Sequence, residues 1–415
     1  MNKTKPFIIP KERVMQAFKL IKANAGGAGI DQQSLLDFEK DLKDNLYQLW
    51  NRLSSGSYFP PAVRAVSIPK KSGGERILGV PTVADRIAQM VVKLTFEPEV
   101  ERQFLPDSYG YRPNKSALDA VGITRQRCWQ YNWLVEYDIQ GFFDNLDHEL
   151  LMKAVRKHTQ CKWVLLYVER WLKAPLQSVD GTLMERTKGV PQGGVISPLL
   201  SNLFLHYVFD VWMRKRYPNL PWCRYADDGL VHCKTEKQAQ YILEELLQRF
   251  KACGLTLHPT KTKIVYCKDG KRKKDYPHTM FEFLGYSFRR RQVKTREDKM
   301  FLGFTAAASS SAQKSMRART RAQKFYRRTE LSLNDIAKQF NPVLRGWIEY
   351  YGKYQSSALQ PVLRHFNKTL VAWAMRKYKK LRGRKTKAGI FLQRIAKREP
   401  HLFAHWKAGM VGVFI

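Results

Sequence analysis

The sharpest chemical signal in the sequence is a pair of adjacent carboxylates, Asp227 and Asp228, within the segment CRYADDGLVHCK (223–234). The ADDG centre is rich in turn formers and its flanks are rich in β formers, which predicts a strand–turn–strand unit. Two neighbouring carboxylates between apolar strands repel each other unless a cation neutralises them. Because Asp-Asp-Gly alone is more often an exposed acidic turn, a metal site needs a second signal.

A third carboxylate, Asp138, supplies that signal. It follows the predicted strand residues WLVEY (133–137) and precedes IQGFF (139–143). Core packing does not account for a charge at the end of such an apolar strand. Three carboxylates from two adjacent strands could hold two Mg²⁺ ions about 3.5–4 Å apart, the arrangement used in phosphoryl-transfer polymerases. The residues therefore predict a two-metal centre.

Strands and helices must alternate around these carboxylates to position them. Helices are predicted at 147–158, at 162–173 and, with a well-formed amphipathic pattern, at 236–252. Two further strands are predicted within LTLHPTKTKIVYC (255–267) and MFEFLGYSF (280–288). Strands interleaved with helices indicate an α+β, palm-like core.

The regions on either side of this core have a different pattern. Residues 10–54 are predicted as helices broken by AGGAGID, residues 58–70 as extended chain, and residues 82–103 as a helix that Thr82 can cap. After residue 289 the strand signal nearly vanishes and the composition turns basic, which places the main boundary near 289–310. The helices predicted beyond it are 311–329, 333–353 and 361–381.

Composition and charge exclude several classes of protein. The 415 residues include 73 Lys and Arg against 36 Asp and Glu, a formal charge of +37, yet 44% are hydrophobic and 12% aromatic. This is too apolar for a disordered polycation, so we expect a folded protein with a polyanionic partner, nucleic acid first. The sequence predicts neither a membrane-spanning helix nor a signal peptide. The six scattered cysteines are typical of free thiols in a reducing compartment.

Eight segments in order along the chain resemble the motifs of group II intron-encoded reverse transcriptase/maturases. The last of them resembles the maturase-specific thumb segment and favours intron-type enzymes over retroviral ones. The segments are IPKKSGGERILGVPTVADRIAQ (68–89), SYGYRPNKSALDAV (108–121), EYDIQGFFDNLDHELL (136–151), GVPQGGVISPLLSNLFL (189–205), CRYADDGLV (223–231), GLTLHPTKTKIV (254–265), FEFLGYSF (281–288) and NPVLRGWIEYYGKY (341–354).

The resemblance implies an α+β right-hand polymerase. Its fingers would span 1–133, its palm with an antiparallel sheet 134–289, and an all-helical thumb/maturase domain 290–415. The expected reaction is RNA-directed DNA synthesis from dNTPs, with two Mg²⁺ ions as cofactors. Asp138, Asp227 and Asp228 match the catalytic metal ligands of the family.

The resemblance also implies roles around the nucleotide. The backbone of Ile139 would help to hold the second metal ion. Arg64, Lys70 and Arg76 match residues that grip the triphosphate, although a solvated basic hairpin would explain them equally well without the resemblance. Phe143, five residues after Asp138, matches the residue that excludes a 2′-OH, although core packing alone would otherwise account for a Phe.

Three further residues match positions near the reacting groups. Gln192, in the segment PQGG, would lie near the incoming nucleotide and the template base. The two glycines of that segment allow close approach of a ligand. Tyr225 would face the primer end. Lys261 matches a lysine that could donate a proton to the leaving pyrophosphate, and a plain surface lysine is the alternative.

Nucleic-acid contacts are predicted at two places. Tyr109, Tyr111 and Arg112 suit the template, because aromatic rings stack on bases and Arg pairs with phosphate. The helix that carries Arg317, Arg319 and Arg321, together with RKYKKLRGRKTK (376–387), suits RNA. A charge run is usually a solvated face, but aromatic residues interleave with this one and the net charge would repel itself without a polyanion.

The expected partners are an intron RNA template, a DNA or RNA primer, dNTPs and target DNA, and no membrane partner is expected. The expected location is the bacterial cytoplasm or nucleoid, and an organellar matrix is the weaker alternative. No cysteine follows Cys267, so the zinc-dependent HNH endonuclease of many relatives, and cleavage of the target strand, are not expected. Two rival functions stay open: an RNA-binding splicing factor with secondary polymerase activity, and a domesticated defence-associated reverse transcriptase. The sequence also leaves open the oligomeric state, a homodimer included.

Overall fold

The chain folds into two compact units. The computed structural model describes residues 5–69, 73–294, 299–410 and 414. Unit 1 comprises Met1–Ala120 and Val135–Ile264, and unit 2 comprises Val121–Leu134 and Val265–Ile415. The predicted domain boundaries at 133 and 289 stay predictions.

Helices and strands alternate through the first two-thirds of the chain. The helices are α1 Lys11–Asn24, α2 Leu35–Lys40, α3 Leu42–Ser55, α4 Val83–Glu101, α5 Ala117–Gln130, α6 His148–His158, α7 Lys162–Lys173, α8 Ser197–Leu205, α9 Val211–Arg216, α10 Glu236–Ala252, α11 Ser310–Ala322, α12 Leu333–Gln355, α13 Gln360–Lys377, α14 Lys385–Arg398 and α15 Ala404–Lys407. The strands are β1 Val63–Pro69, β2 Glu75–Val80, β3 Trp133–Tyr137, β4 Leu176–Gln177, β5 Leu183–Met184, β6 Trp222–Tyr225, β7 Asp228–Cys233, β8 Lys263–Tyr266, β9 Phe281–Phe283, β10 Tyr286–Lys294 and β11 Met300–Ala308. The mixed helical and antiparallel character predicted from the sequence is confirmed.

Two sheets organise unit 1. In the first, with strand order β2-β1-β4-β5, β1 and β2 pair antiparallel from Arg64↔Val80 to Pro69↔Glu75. In the second, with order β6-β7-β3-β8, β6 and β7 form an antiparallel hairpin whose last pair is Tyr225↔Asp228. β3 is the neighbour of β7, so the strand that precedes Asp138 lies beside the strand that begins at Asp228.

Apolar helix faces cover the second sheet. Helix α10 begins at its cap Thr235, whose hydroxyl accepts a hydrogen bond from the Gln238 N–H. It buries Ala239, Ile242, Leu246 and Phe250, a spacing of three to four residues that aligns them on one face. The ring of Tyr137 on β3 lies 5.3 Å from that of Phe250 and 5.1 Å from that of Phe209. These contacts fix the end of β3 from which Asp138 projects.

Unit 2 is not all-helical, contrary to the expectation for residues 290–415. Strands β10 and β11 form a long antiparallel hairpin that pairs from Tyr286↔Ala308 to Lys294↔Met300, and β9 adds a third strand. The prediction that strand structure nearly ends at 289 was wrong because Arg289–Arg291 interrupt the apolar alternation where β10 leaves the core, and the Ala-rich end of β11 has low β propensity. Backbone pairing between the two strands overrides both signals.

Helices follow the hairpin in unit 2, as predicted. Helix α12 begins with a capping box between Ser332 and Asp335 and buries Ile336, Phe340 and Leu344. Helix α11 ends at Ala322, earlier than the predicted 329, because Lys324 adopts a φ of 45° and starts a separate 3₁₀ turn. Among the described residues, no helix combines the length and the hydropathy needed to cross a membrane.

Candidate active site

The two adjacent carboxylates lie at the tip of the β6–β7 hairpin. Tyr225 pairs with Asp228, so Ala226 and Asp227 form a two-residue turn. Ala226 has a φ of 55°, the left-handed region that favours glycine, as tight hairpin turns require. Gly110 lies against this turn, and a Cβ at Gly110 would overlap the Ala226 N atom. The strand–turn–strand unit predicted at 223–234 is therefore confirmed.

Asp138 is held beside the hairpin by the strand that precedes it. The Tyr137 ring covers Gly229, and a Cβ at Gly229 would overlap that ring. The Asp138 carbonyl accepts a hydrogen bond from the His258 N–H at 2.7 Å, and the Gln140 N–H donates to the Thr256 carbonyl at 2.9 Å. Both bonds fix the backbone around Asp138 while its side chain stays partly exposed.

The carboxylates interact strongly with each other. Burial raises the pKa of Asp228 to about 8, with further contributions from the charges of Asp227 and Asp138. Burial also raises the pKa of Asp227 above its usual range. Contact with the Asp138 carboxylate further raises the pKa of Asp228, and Asp138 Oδ2 accepts a hydrogen bond from Lys261 Nζ at 3.0 Å. One lysine therefore neutralises part of a three-carboxylate group.

These three side chains have the chemistry of a divalent-cation site, because partly buried carboxylates that repel each other are relieved by a cation. In this conformation, however, no three His, Cys, Asp or Glu side chains of the described residues are arranged so that they could hold a metal ion. Lys261 occupies one oxygen that a metal would need. The donor types and the burial fit divalent ions, and the ligand geometry stays a prediction.

A cleft of about 990 Å³ opens beside the carboxylates. It is lined by seven of the residues singled out in the sequence: Arg76, Asp138, Ile139, Phe143, Gln192, Asp227 and Lys261. Carboxylates, cations and the ring of Phe143 thus line the same cleft. This is the combination that a nucleoside triphosphate with divalent ions would require.

Gln192 links a cation to a carboxylate within the cleft. Its Oε1 accepts a hydrogen bond from Arg76 Nε, and its Nε2 donates to both Asp144 oxygens at 3.2 and 3.3 Å. The Gln192 carbonyl accepts from the Gly79 N–H, and a Cβ on Gly193, with φ 121°, would lie 2.6 Å from the Gly79 carbonyl oxygen. Glycine is therefore required where this loop meets β2.

Phe143 and Ile139 line the same cleft from the segment after β3. Phe143 is 7% exposed, and its carbonyl accepts from the Val190 N–H at 2.7 Å. Ile139 pairs with Leu257, and the flanking hydrogen bonds come from Asp138 and Gln140. In such a non-hydrogen-bonded pair the Ile139 carbonyl points away from its partner strand, so that strand does not occupy it.

Two predicted nucleotide contacts, Arg64 and Tyr225, do not line the cleft in the part of the chain that the structure describes. Arg64 lies on β1 near Gly27, where a Cβ would be 3.7 Å from its Nη2. Tyr225 ends β6 and is half-buried beside the carboxylates. Lys70 lies outside the described residues. Of the two predicted fingers cations that the structure describes, Arg76 lines the cleft and Arg64 does not.

The predicted template loop has a mainly structural arrangement. Arg112 is a correction: its side chain is 6% exposed, it pairs with Glu101 at 2.6 Å, and its Nη1 donates to the Leu105 and Ser108 carbonyls at 2.7 Å. These bonds leave it poorly placed to contact a phosphate. Tyr109 is buried, whereas Tyr111 is 52% exposed and its pKa is raised by burial and by the charge of Asp227. Of these three loop residues, Tyr111 keeps the most exposed ring, and it lies near the carboxylates.

Unit 2 carries the predicted RNA-contacting arginines on α11. Met316 and Thr320 face the core, whereas Arg319 and Arg321 are exposed and Arg317 is half-buried. None of the three forms an ion pair with a carboxylate in the described part of the chain. A helix with one buried edge and a row of exposed cations is suited to a polyanion.

Sequence reasoning missed several charged residues of the cleft. Asp144, Arg186 and Lys188 all line it. Burial lowers the pKa of Arg186, and the nearby charge of Asp144 opposes that effect. Their sequence signal is slight: Asp144 follows Phe143 directly, and the two cations precede the PQGG loop in ERTKGV. Charges at such spacing are also common on exposed turns.

Two family comparisons match the chain. Residues 68–288, more than half of it, match the family described as reverse transcriptase (RNA-dependent DNA polymerase). Residues 313–389 match the group II intron, maturase-specific domain. The first match contains all of the cleft residues discussed above, and the second begins within α11.

Curated proteins of three organisms are similar to it. Protein YkfC of Escherichia coli (strain K12) is 32% identical over 70% of this chain and 84% of that protein. The group II intron-encoded protein LtrA of Lactococcus lactis subsp. cremoris is 26% identical over 64% of this chain and 54% of LtrA. The putative COX1/OXI3 intron 1 protein of Saccharomyces cerevisiae is 32% identical over 42% of this chain and 21% of that protein. The chain thus spans about half the length of LtrA. It belongs to the group II intron-encoded reverse transcriptases and is an RNA-directed DNA polymerase.

Proposed function

We propose that the protein copies RNA into DNA by two-metal nucleotidyl transfer, in which a primer 3′-OH attacks the α-phosphate of a dNTP and pyrophosphate leaves. The observation that carries this proposal is the cleft that places Asp138 and Asp227 together with Arg76 and Lys261. Carboxylates suit the metal ions and cations suit the triphosphate, so one site offers both requirements.

Asp138, Asp227 and Asp228 would hold two Mg²⁺ ions, with the backbone carbonyl of Ile139 as a further ligand. Their burial and mutual repulsion support this assignment, because a divalent ion relieves both. Bound there, the ions would activate the 3′-OH and stabilise the charge of the leaving pyrophosphate.

Arg76 and Lys261 would bind the triphosphate. Gln192 engages the Nε of Arg76 and so orients its guanidinium, while Nη1 and Nη2 form no hydrogen bond with a described residue. Lys261 would give up Asp138 when the nucleotide and its metal ions bind. Its ammonium group would then be available as a proton donor to the pyrophosphate. Arg64 and Lys70 would be further contacts to the triphosphate.

Phe143 would lie under the ribose and exclude ribonucleotides. Its ring is buried on the cleft wall, and its backbone is fixed by Val190. A ring held in this way cannot move aside easily for a 2′-OH, which supports a steric role.

A second proposed function is assistance in splicing of the intron RNA and in retrohoming. The match to a maturase-specific domain and the exposed arginines of α11 favour it. The partners would be a structured intron RNA, a DNA or RNA primer and target DNA, in the bacterial cytoplasm or nucleoid. A domesticated defence enzyme is the rival; the DNA around the gene distinguishes the two, since only an intron-encoded enzyme is flanked by intron ribozyme sequence.

Primer extension by the purified protein tests the main proposal. With an RNA template, an annealed DNA primer, dNTPs and Mg²⁺, we expect full-length cDNA whose sequence follows the template. A chelator should abolish the product, and excess Mg²⁺ should restore it. If neither Mg²⁺ nor Mn²⁺ supports extension on any primed RNA, the proposed function is wrong.

A further inference from the structure

A buried ion pair stands directly behind the metal-binding turn. Arg224, the residue before Tyr225, and Asp210, the last residue of the π-helical segment His206–Asp210, both have side chains that are 0% exposed. Arg224 Nε donates to Asp210 Oδ1 at 2.7 Å, and Nη2 donates to Oδ2 at 2.6 Å. The arrangement is a bidentate pair between the hairpin and the helix behind it.

The remaining donors of Arg224 reach the turn and its supports. Nη1 donates to the Ala226 carbonyl at 3.1 Å and to Asn202 Oδ1 at 3.0 Å, and Nη2 also donates to Ser108 Oγ at 2.8 Å. All five N–H groups of the guanidinium are thus used. One side chain ties the carbonyl that precedes Asp227 to three separate segments of unit 1.

The backbone of Arg224 is fixed as firmly as its side chain. Its N–H donates to the Asp107 carbonyl at 3.0 Å, and its carbonyl accepts from the Tyr109 N–H at 2.8 Å. Asn202 Nδ2 donates to the Gly110 carbonyl at 2.6 Å, which holds Gly110 against Ala226. The turn that contains the left-handed Ala226 is therefore held at two places. Arg224 binds the Ala226 carbonyl, and Gly110 packs against the Ala226 N atom.

Stability alone does not account for this pair. Replacing a buried ion pair with packed apolar side chains is often neutral or stabilising, because desolvation of two charges is costly. Burial raises the pKa of Asp210, but the charge and hydrogen bonds of Arg224 outweigh burial and leave the pKa below its usual value. The pair stays ionised, so the cost of desolvation is present in the folded protein.

We propose that Arg224, anchored by Asp210, is a positioning residue that fixes the Ala226 turn, so that Asp227 and Asp228 keep their places relative to Asp138 during nucleotidyl transfer. This inference rests on the proposed two-metal function of those carboxylates. Arg224 touches neither substrate nor metal in this account. It acts through the carbonyl of Ala226 and the path of the hairpin.

The test compares Arg224→Lys and Asp210→Asn with a matched control in unit 2. Arg272 pairs with Asp269 at 2.5 Å and donates to the Cys128 and Tyr131 carbonyls at 2.9 Å, but it belongs to no part of the hairpin. Arg272→Lys should therefore reproduce the loss of a partly buried Arg–Asp pair without displacing the carboxylates.

We expect Arg224→Lys to lower kcat for single-nucleotide addition about ten- to a hundredfold, as misplaced reacting groups do. The KM for dNTP should change little, because Arg76 and Lys261 are untouched. Mn²⁺ binding, followed by electron paramagnetic resonance without nucleotide, should weaken. Arg272→Lys should leave kcat and Mn²⁺ binding near those of the parent.

A double variant, Arg224→Met with Asp210→Leu, separates positioning from stability. The apolar pair should recover the thermal stability lost in the single variants but not kcat. Recovery of kcat together with stability would overturn the proposal, as would a parental kcat and parental Mn²⁺ binding in Arg224→Lys. If single variants fold poorly, Ser108→Ala removes one acceptor of the guanidinium and should give a smaller loss of kcat in the same direction. A parent protein that makes no cDNA at all would instead contradict the proposed function itself.

Discussion

At the scale of single residues, three carboxylates and one lysine decide the electrostatics of the cleft. Asp227 and Asp228 are half-buried with raised pKa values, and Lys261 pairs with Asp138. A group of this kind is unfavourable for folding but useful for metal binding. Function and stability should therefore respond in opposite directions to its removal.

Removing one carboxylate should stabilise the metal-free protein. In chelator, Asp228→Asn should raise the free energy of unfolding by roughly 1–3 kcal/mol. For a unit of this size, each kcal/mol of added stability raises Tm by about 2–4 °C. The folded pKa of Asp228, about 8, lies above its ordinary value of 3.8, so the folded protein holds an extra proton between these values. Stability from this group is therefore lost as the pH rises through that window.

The advantage of Asp228→Asn should consequently be larger at pH 8 than at pH 5. Thermal unfolding at both pH values measures it, with Asp180→Asn on an exposed turn as a control that brings no gain. A variant that is less stable than the parent at pH 8 in chelator would contradict the electrostatic account.

Substitution of the cleft phenylalanine should relax sugar selection. Phe143→Val removes the ring beneath the proposed ribose position, and relief of a clash worth about 1–3 kcal/mol corresponds to roughly ten- to a hundredfold in discrimination. We expect incorporation of rNTP relative to dNTP to rise by that factor in single-nucleotide extension. The neighbour Phe142, 2% exposed, provides the control, since Phe142→Val should leave the ratio unchanged. An unchanged ratio in Phe143→Val would exclude the steric role.

Residue types could be predicted at this scale, but their bonding could not. The sequence placed Asp138 with Asp227 because charges at the ends of apolar strands need an explanation, and both line one cleft. Nothing in the pattern showed that Arg112 would pair with Glu101, because the two are eleven positions apart and meet only through tertiary packing. The bridge from Arg76 through Gln192 to Asp144 joins still more distant segments.

At the scale of elements, the hairpin and β3 act as one aligned frame. The Tyr137 ring lies on Gly229, next to Asp228, and is enclosed by Phe209 and Phe250. A ring enclosed in this way cannot shift to admit a methyl group without moving a strand. The spacing of Asp138 and Asp228 therefore depends on the absence of a side chain at Gly229.

Gly229→Ala should misalign the two strands. We expect destabilisation of about 1–3 kcal/mol from overpacking and a loss of primer extension beyond what the loss of folded protein explains. Gly346→Ala is the control, because a Cβ at Gly346 on α12 meets open space, so activity should persist. Combining Gly229→Ala with Tyr137→Leu should recover part of the activity. If Gly229→Ala extends primers at the parental rate, the frame does not set the carboxylate spacing.

Element prediction succeeded where periodicity was strong. The amphipathic pattern at 236–252 coincides with α10, and the predicted helix 162–173 coincides with α7. It failed at β11 and at β10 beyond residue 288, since strand pairing is non-local and these stretches carry an arginine run and an Ala-rich end. Local propensity does not register a partner strand.

At the scale of the whole molecule, charge is the dominant feature. The formal charge of +37 would repel itself strongly without a polyanion, and α11 offers exposed arginines in unit 2. Composition alone predicted the class of partner. It could not predict which face binds RNA, because cations are distributed along much of the chain.

RNA affinity should depend steeply on salt, with a slope of about −0.7 to −0.9 in log K against log salt for each phosphate neutralised. Replacing Arg317, Arg319 and Arg321 with Ala should flatten that slope by up to about two to three units, measured by filter binding of structured intron RNA. The control replaces the exposed lysines Lys19, Lys43 and Lys153 of unit 1 and should change the slope less. Equal slopes in the parent and the arginine variant would mean that α11 is only solvated.

The most direct test of the account is primer extension by the double variant Asp227→Ala, Asp228→Ala, with intron RNA binding and splicing measured on the same preparation. The account predicts no cDNA in Mg²⁺, because the carboxylates that hold the metal ions are gone, while RNA affinity and splicing stay near those of the parent, because the basic helices of unit 2 are unchanged. If splicing falls in step with DNA synthesis in the folded variant, the proposed maturase role is wrong. Extension at the parental rate would contradict the central claim that these carboxylates form the polymerase centre.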